Sequence, residues 1–345
     1  MSSHKQILAQ CRKLIPPLTN ELHKGQAGRI GVIGGSADYS GAPFFASMSA
    51  LRIGADLAHV ICEPAAGNII KTYSPGGFHA SSERSGSQRA LADLIVHTDL
   101  GPDSTEKSLT ELYNALLPRL HVLVVGPGLG RSKHMQLAAR VAIKLAREKD
   151  IYIVIDADGL WLAQNEPDVV KGYAKAVLTP NVVEFGRLCD AVDLKQDSDR
   201  DTLAARLADA LGGVTVLQKG SVDRITNGQN TKALVNQVQG SVRRCGGQGD
   251  VLSGSVGTFL AWAMSWQDGQ GQTREDAGQS HFADVPLTML AAYAGSTLTR
   301  TASRITYARM KRAMQTSDML DDVGHAFEEV FGEQDQEAGG QKSKV

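Results

Sequence analysis

Short aliphatic runs recur along the chain, most of them ended by Gly, Asp or Thr, and most lead into a stretch where apolar residues return every three or four positions. Residues 30–35 (IGVIGG), 57–62 (LAHVIC), 121–126 (HVLVVG), 151–156 (IYIVID), 176–179 (AVLT) and 214–220 (VTVLQKG) show little polar alternation, which predicts strands buried on both faces. Between them, Phe44, Met48 and Leu51 recur at helical spacing beside Pro43, and Met135, Ala138, Ala142 and Leu145 share one helix face. Leu203, Leu207 and Leu211 share another, which stops at Gly212 and Gly213. Such alternation predicts an α/β fold with a central, mostly parallel sheet flanked by helices on both faces. Asn227-Gly228, inside the segment 224–235, is a hairpin signal and predicts an antiparallel excursion at the sheet edge.

The 345 residues exceed the span of about 250–300 that one hydrophobic core usually serves. No internal repeat or linker divides them, so one domain over 1–330 is expected. Polar insertions at 76–92 and 267–286, read as mobile loops, and a disordered tail at 331–345 would account for the excess. Apolar residues make up 42% and charged residues 21%, a soluble globular balance that excludes disorder throughout. With 36 Lys plus Arg against 37 Asp plus Glu, no global field favours nucleic acid or an anionic membrane, and any phosphate must be held locally. Cys11, Cys62, Cys189 and Cys245 form no CxxC pair and the nine histidines form no HExxH, which argues against a zinc ribbon or a histidine-built metal centre. No apolar run approaches the roughly 18 residues of a membrane span, and the first residues lack the pattern of a signal or transit peptide, so the cytoplasm is the expected compartment.

The densest chemistry lies at 240–257, GSVRRCGGQGDVLSGSVG, which runs into an apolar helix. Gly246, Gly247 and Gly249 free backbone amides from side-chain cover where a helix N-terminus adds partial positive charge, an arrangement suited to an anion. Asp250, placed at the N-cap or first helical position, reads either as a capping carboxylate or as a general base beside a phosphate cradle. Lys219-Gly220 ends a strand where a cation can meet phosphate. In 179–188, TPNVVEFGRL, Pro180 stops a strand, and Asn181 with Glu184 reads either as a cap with a first-turn acid or as ligands of a magnesium ion that keeps several waters. The turn GPGLGR at 126–131 fails the GxGxxG rule at Arg131 and lacks the Walker Lys-Ser/Thr; it reads as a turn where backbone approaches a ligand. Asp156 and Asp158, after another strand, stand where open α/β sheets keep ligands, or simply cap the next helix.

Together these segments resemble a known family. HKGQAGRIGVIGGSADYSGAPFFA, GADLAHVIC, HVLVVGPGLGR, IVIDADGLW, VLTPNVVEFGRL, VLQKGSVDRI and GGQGDVLSGSVGTFLAW occur in the order found in the ATP-dependent NAD(P)H-hydrate dehydratases, a branch of the ribokinase-like superfamily, and span roughly residues 20–310. The glycine-Asp motif alone points only to the superfamily, whereas GQAGRIGVIGG, NVVEFGR and GQGDVLSG point to the branch. This chain departs from the family in the polar segment 76–92, which separates Tyr73-Ser74-Pro75 from 93–97.

The resemblance implies a single ribokinase-like domain with ATP and substrate meeting at the carboxyl edge of the strands. The substrate would be the S epimer of NADH or NADPH hydrated at a nicotinamide-ring double bond, with ATP as co-substrate and Mg2+ as cofactor. It further implies that Lys219, Gly220, Ser221, Val222 and Asp223, with Gly240, Ser241, Val242, Arg243, Arg244, Cys245, Gly246, Gly247, Gln248 and Gly249, contact ATP. Gly128, Asn181, Val182, Val183, Glu184, Phe185, Gly186, Arg187 and Asp250 would contact the hydrate, Asp250 as general base, and Asn181 and Glu184 match a magnesium motif of the superfamily. Partners would be small molecules, alongside an epimerase of the hydrate; a homo-oligomer is left open. The alternatives are a kinase for a thiazole or pyrimidine alcohol, which the same cradle would serve, and a Rossmann oxidoreductase or a nucleotide-binding regulator, the oxidoreductase being disfavoured by the failed GxGxxG.

Overall fold

A computed structural model of the chain describes residues 4–20, 23–73, 94–195, 200–228, 230–269 and 285–332. Its nine strands are β1 (Arg29–Ile33), β2 (Leu57–Ile61), β3 (Leu94–His97), β4 (Val122–Val125), β5 (Tyr152–Ile155), β6 (Ala176–Leu178), β7 (Thr215–Gln218), β8 (Asp223–Thr226) and β9 (Leu234–Asn236). They form one sheet in the order β3-β2-β1-β4-β5-β6-β7-β8-β9. Pairing is parallel from β3 through β7, and β8 and β9 then add antiparallel, as the Asn227-Gly228 turn predicts.

Eleven α-helices occur among the described residues: α1 (His4–Arg12), α2 (Gly41–Ile53), α3 (Pro64–Ile70), α4 (Glu106–Leu116), α5 (Lys133–Glu148), α6 (Ala157–Asn165), α7 (Val182–Ala191), α8 (Arg200–Ala210), α9 (Gln248–Gln267), α10 (Leu287–Met310) and α11 (Thr316–Phe331). Strand side chains alternate between two cores, one layer of helices covering each face. Val122 and Val124 of β4 face α2, α9, α10 and α11, while Leu123 and Val125 face α4 to α8. Both faces are therefore dry, which explains why these strands read as unbroken aliphatic runs. On α5, Met135, Ala138, Ala142 and Leu145 are all buried, as their spacing predicts. The segment 76–92 lies outside the described residues. Of 267–286, residues 270–284 lie outside them, but Gln267 closes α9, and its Oε1 accepts a hydrogen bond from the Tyr152 hydroxyl at 2.8 Å. Phe331, where the polar tail was expected to begin, is the buried last residue of α11 and packs on Phe259 and Phe327; residues 333–345 lie outside the described set. All four cysteines are free thiols. No helix of the described residues is long and apolar enough to cross a membrane.

The order of strands reverses between β1 and β4, the crevice where open α/β sheets gather their ligands. Beyond the strand ends the parallel ladder continues. The Gly126 amide donates to the Ile33 carbonyl and the Asp156 amide to the Val125 carbonyl, both at 3.0 Å. The Thr179 amide donates to the Ile155 carbonyl at 3.1 Å, and the Lys219 amide to the Pro180 carbonyl at 2.9 Å. This lines up Asp156, Thr179 and Lys219 along one edge although up to 63 residues separate them.

Over this edge α9 lies close against α2. A Cβ on Gly254 would stand 2.0 Å from the Ala46 carbonyl oxygen and 2.3 Å from Ser49 Oγ. Gly254→Ala therefore separates two effects of opposite sign. Helix propensity favours alanine by about 1 kcal/mol, whereas overpacking of a tight contact costs about 1–3 kcal/mol. Urea denaturation of Gly254→Ala is expected to show a net loss of stability, and a gain would contradict the close α2–α9 contact.

Candidate functional site

Asp156 follows β5 and is almost wholly buried. Its Oδ1 accepts hydrogen bonds from Thr179 Oγ1 at 2.8 Å and from Lys219 Nζ at 3.1 Å. The same ammonium lies 4.0 Å from Glu184 Oε2 on α7. Gly249 completes the floor, since a Cβ there would come 3.6 Å from Lys219 Nζ and 3.8 Å from Asp156 Oδ2. One residue on, Asp250 is the third residue of α9 rather than its cap; Gly247 occupies the cap position with φ +97°. That conformation is one that L side chains rarely adopt, and a Cβ would lie 2.8 Å from Thr316 Cγ2 and 2.9 Å from Phe45 Cδ2, so glycine is required. Thr316, first residue of α11, donates to the Gly246 carbonyl at 2.6 Å and so fixes the turn from behind, while Gly246 faces open space. The amides of the turn and the start of α9 are thereby held for an anion.

Three carboxylates thus share one lysine. Burial is the main reason that the Asp250 carboxyl is pushed up to about 7; the negative charge of Asp156 raises it further, and Lys219 partly offsets both. Burial likewise lifts Glu184, against the opposing pull of Lys219 and of the Asn181 amide. Desolvation disfavours the charge of the partly buried Lys219, but Asp156, Glu184 and Asp250 together outweigh this and hold it above the ordinary lysine range. A carboxylate that titrates near neutrality beside an anion cradle is suited to proton transfer.

Asn181 and Glu184 form a reciprocal capping box at the start of α7. Asn181 Oδ1 accepts from the amides of Val183 at 2.9 Å and Glu184 at 3.0 Å, and Glu184 Oε2 accepts from the Asn181 amide at 2.7 Å. Val182 and Val183 are exposed beside this cap, whereas Phe185 turns into the core beneath it. Next to it a pocket of about 120 Å³ is bounded by Glu184, Arg187, Asp158, Arg131 and Trp161. Arg131 lies over the Trp161 ring, its guanidinium carbon 5.4 Å from the ring centroid, and its Nε donates to Asp158 Oδ1 at 3.2 Å, while Asp158 Oδ2 accepts from the Gly130 amide. Gly128, with φ +62° and the Tyr39 carbonyl 2.4 Å from where its Cβ would be, offers its own carbonyl to the amides of Gly35 and Ser36. The turns after β1 and β4 are thereby joined at the switch point.

Among the residues implied to contact ATP, Val242, Arg243 and Arg244 are exposed. Ser241 is buried and donates to the Arg243 carbonyl, and Gln248 Nε2 donates to the same carbonyl. Asp223 is buried behind its turn and paired with Arg300 of α10. Sequence reasoning weighed Asp156 only as one of two strand-end acids and did not find Thr179, Arg300 or Thr316. Arg300 and Thr316 belong to no local motif, and although Thr179 opens the segment 179–188, only the pairing of distant segments brings the three to their partners.

A mostly parallel sheet with a glycine-turn anion cradle at its carboxyl edge places the chain in the ribokinase-like class of folds. A ribokinase-like superfamily protein of Enterococcus faecalis superposes with a TM-score of 0.68 at 19% identity, covering 95% of each chain. An ADP/ATP-dependent NAD(P)H-hydrate dehydratase of Bacillus subtilis, co-crystallized with ATP/Mg2+, superposes with a TM-score of 0.60 at 17% identity over 94% of this chain and 97% of the other. The chain belongs to the NAD(P)H-hydrate dehydratase family, whose model matches residues 30–322. It is 48% identical over 336 residues to the ATP-dependent (S)-NAD(P)H-hydrate dehydratase of Mycosarcoma maydis, covering 96% of this chain and 90% of the relative. To the Homo sapiens protein of the same name it is 44% identical over 323 residues, covering 93% and 83%.

The raised Asp250 carboxyl has a consequence for stability. Near pH 3 the group is protonated in folded and unfolded chains alike. Above its ordinary value of 3.8 the unfolded chain ionises first, and stability falls until pH passes about 7. Asp250→Asn removes this penalty, so thermal unfolding should show the variant gaining more in Tm at pH 8 than at pH 4; an equal change at both would contradict the buried setting of Asp250.

Proposed function

We propose that this site performs the ATP-dependent dehydration of the S epimer of hydrated NADH or NADPH, with Asp250 as general base. The observation that carries this reading is the Asp250 carboxyl, pushed up to about 7 at the third position of α9 and directly after the glycine turn 246–249. Hydroxide is a poor leaving group from a ring carbon. Asp250 takes the proton of the substrate hydroxyl as its oxygen attacks the γ-phosphorus, and ADP leaves. The amides of the turn stabilise the charge on the transferring phosphoryl group. The C–O bond then breaks with its electron pair leaving on phosphate. The ring nitrogen's lone pair compensates, and loss of a proton from the adjacent ring carbon restores the conjugated dihydropyridine. The products are ADP, phosphate and NAD(P)H.

In this reading the segments 219–223 and 240–249 form the ATP side, and Gly128 with the exposed start of α7 and Arg187 the side of the hydrate. Among the described residues no three His, Cys, Asp or Glu side chains converge to cage a metal. Asn181 Oδ1 and Glu184 Oε2 already accept hydrogen bonds from the start of α7, a donor set that fits magnesium held through its own waters. Bound there, magnesium would neutralise phosphate oxygens. Lys219, fixed by Asp156, keeps the carboxylate cluster from accumulating uncompensated charge.

Hydrate carrying 18O in the ring hydroxyl tests the sequence of steps. One labelled oxygen is expected in inorganic phosphate per turnover, with the reduced-nicotinamide absorbance recovered in step with ADP. Label released into water would contradict it. Asp250→Asn should lose about 10²–10⁴-fold in kcat while still binding ATP, and the acid limb of wild-type kcat/KM should have its midpoint near 7.

A further inference from the structure

We propose that Arg300, in the middle of α10, is a positioning residue for ATP that aligns the two separate loops of the nucleotide site from behind. The inference rests on the assignment of 219–223 and 240–249 to ATP made above. A hairpin of two strands separates those segments in the chain, and α10 runs beneath both. The Arg300 side chain is 13% exposed, and all five of its N–H groups have an acceptor. Nε donates to Asp223 Oδ2 at 2.8 Å and Nη2 to Asp223 Oδ1 at 2.6 Å. Nη2 also donates to the Gly220 carbonyl at 2.7 Å, and Nη1 donates to the carbonyls of Ser221 at 3.0 Å and Val238 at 2.9 Å.

Asp223 is engaged just as completely. Its Oδ1 also accepts from the Gly220 amide at 2.9 Å, and its Oδ2 from Ser296 Oγ at 2.7 Å. Its carboxylate therefore faces the protein and holds the turn, leaving the nucleotide to the backbone of that turn. One helical turn along α10, Ser303 Oγ accepts the Ser241 amide at 3.1 Å and lies 3.2 Å from where a Cβ on Gly240 would stand. Both loops are thus pinned to one helix.

The consequence follows from the planar peptide. A carbonyl and the amide that follows it point in opposite directions. Three carbonyls drawn inward by one cation turn the amides of Ser221, Val222 and Gln239 outward, presenting a row of donors to the acceptor atoms of a nucleotide. The guanidinium charge is neutralised by Asp223 inside the fold, so recognition falls to fixed backbone dipoles. A planar fork is needed, because a lysine ammonium keeps the charge but cannot hold three carbonyls and a bidentate carboxylate together.

Arg300→Lys and Ser303→Ala, with ATP binding by calorimetry and steady-state kinetics on purified folded protein, test the proposal. Arg300→Lys is expected to raise the KM for ATP by about tenfold or more, the scale of one lost charge-assisted hydrogen bond, with the KM for the hydrate within about twofold of wild type. Ser303→Ala should shift the KM for ATP in the same direction by a smaller factor. If both variants fold and keep their KM for ATP, or if both KM values rise together, Arg300 serves only the fold and the proposal is overturned. If Arg300→Lys does not fold, Ser303→Ala and the isosteric Asp223→Asn decide by the same criterion. Failure of the wild-type protein itself to bind ATP would instead refute the assignment of the loops.

Discussion

A single ammonium, that of the partly buried Lys219, holds together a cluster that would otherwise repel itself. Asp156 is in contact with it, Glu184 stands at the limit of an ion pair, and Asp250 feels its charge. Without the lysine, three carboxyl groups at one sheet edge could not ionise together in so dry a setting. With it, charge is distributed unevenly. Asp156 bonds directly to the cation, whereas Asp250, desolvated and next to Asp156, is left with a proton affinity near neutrality. In the proposed reaction this unevenness has a use, since a base that releases and takes a proton at neutral pH is what transfer from a hydroxyl requires.

The fold supplies that cluster through backbone geometry. The ladder continues past β4, β5 and β6 and sets Asp156, Thr179 and Lys219 in adjacent positions, while α9 descends over them and brings Asp250. Close approach of α9 to α2 at Gly254 fixes the depth of that descent, and Thr316 anchors the preceding glycine turn through the Gly246 carbonyl. Arg300 does the same for the neighbouring turn at 220–223. In both turns a side chain from a helix binds the loop's carbonyls. This fits a chain whose net charge is only −1, where phosphate must be held by oriented dipoles rather than by an excess of cations.

Much of this was legible in the sequence, for physical reasons. Strands buried on both faces leave unbroken aliphatic runs, so the sheet core and the antiparallel edge at Asn227-Gly228 could be read directly. The glycines of 246–249 announced backbone exposed at a helix start. Local readings failed where a residue's role depends on a distant partner. Nothing near Asp223 distinguishes a nucleotide contact from a carboxylate enclosed by Arg300, which lies 77 residues away. Asp156 and Asp158 are equivalent in the sequence, and only the approach of Lys219 to one and Arg131 to the other separates them. Asn181 and Glu184 carried two readings, and of these the structure shows the capping box. The expected tail began too early: Phe327 lies four residues before Phe331, at helical spacing, but its other partner, Phe259, is distant in the sequence and meets it only in three dimensions.

Desolvation and Asp156 hold the Asp250 carboxyl near neutrality, against the pull of Lys219. Direct titration of its side-chain carboxyl by carbon NMR in the free protein measures this without recourse to turnover. A midpoint near 7, moving down in Asp156→Asn, is the result expected. A midpoint at the ordinary aspartate value of about 4, unchanged by that substitution, would show that the cluster does not tune Asp250 and would contradict its role as the base.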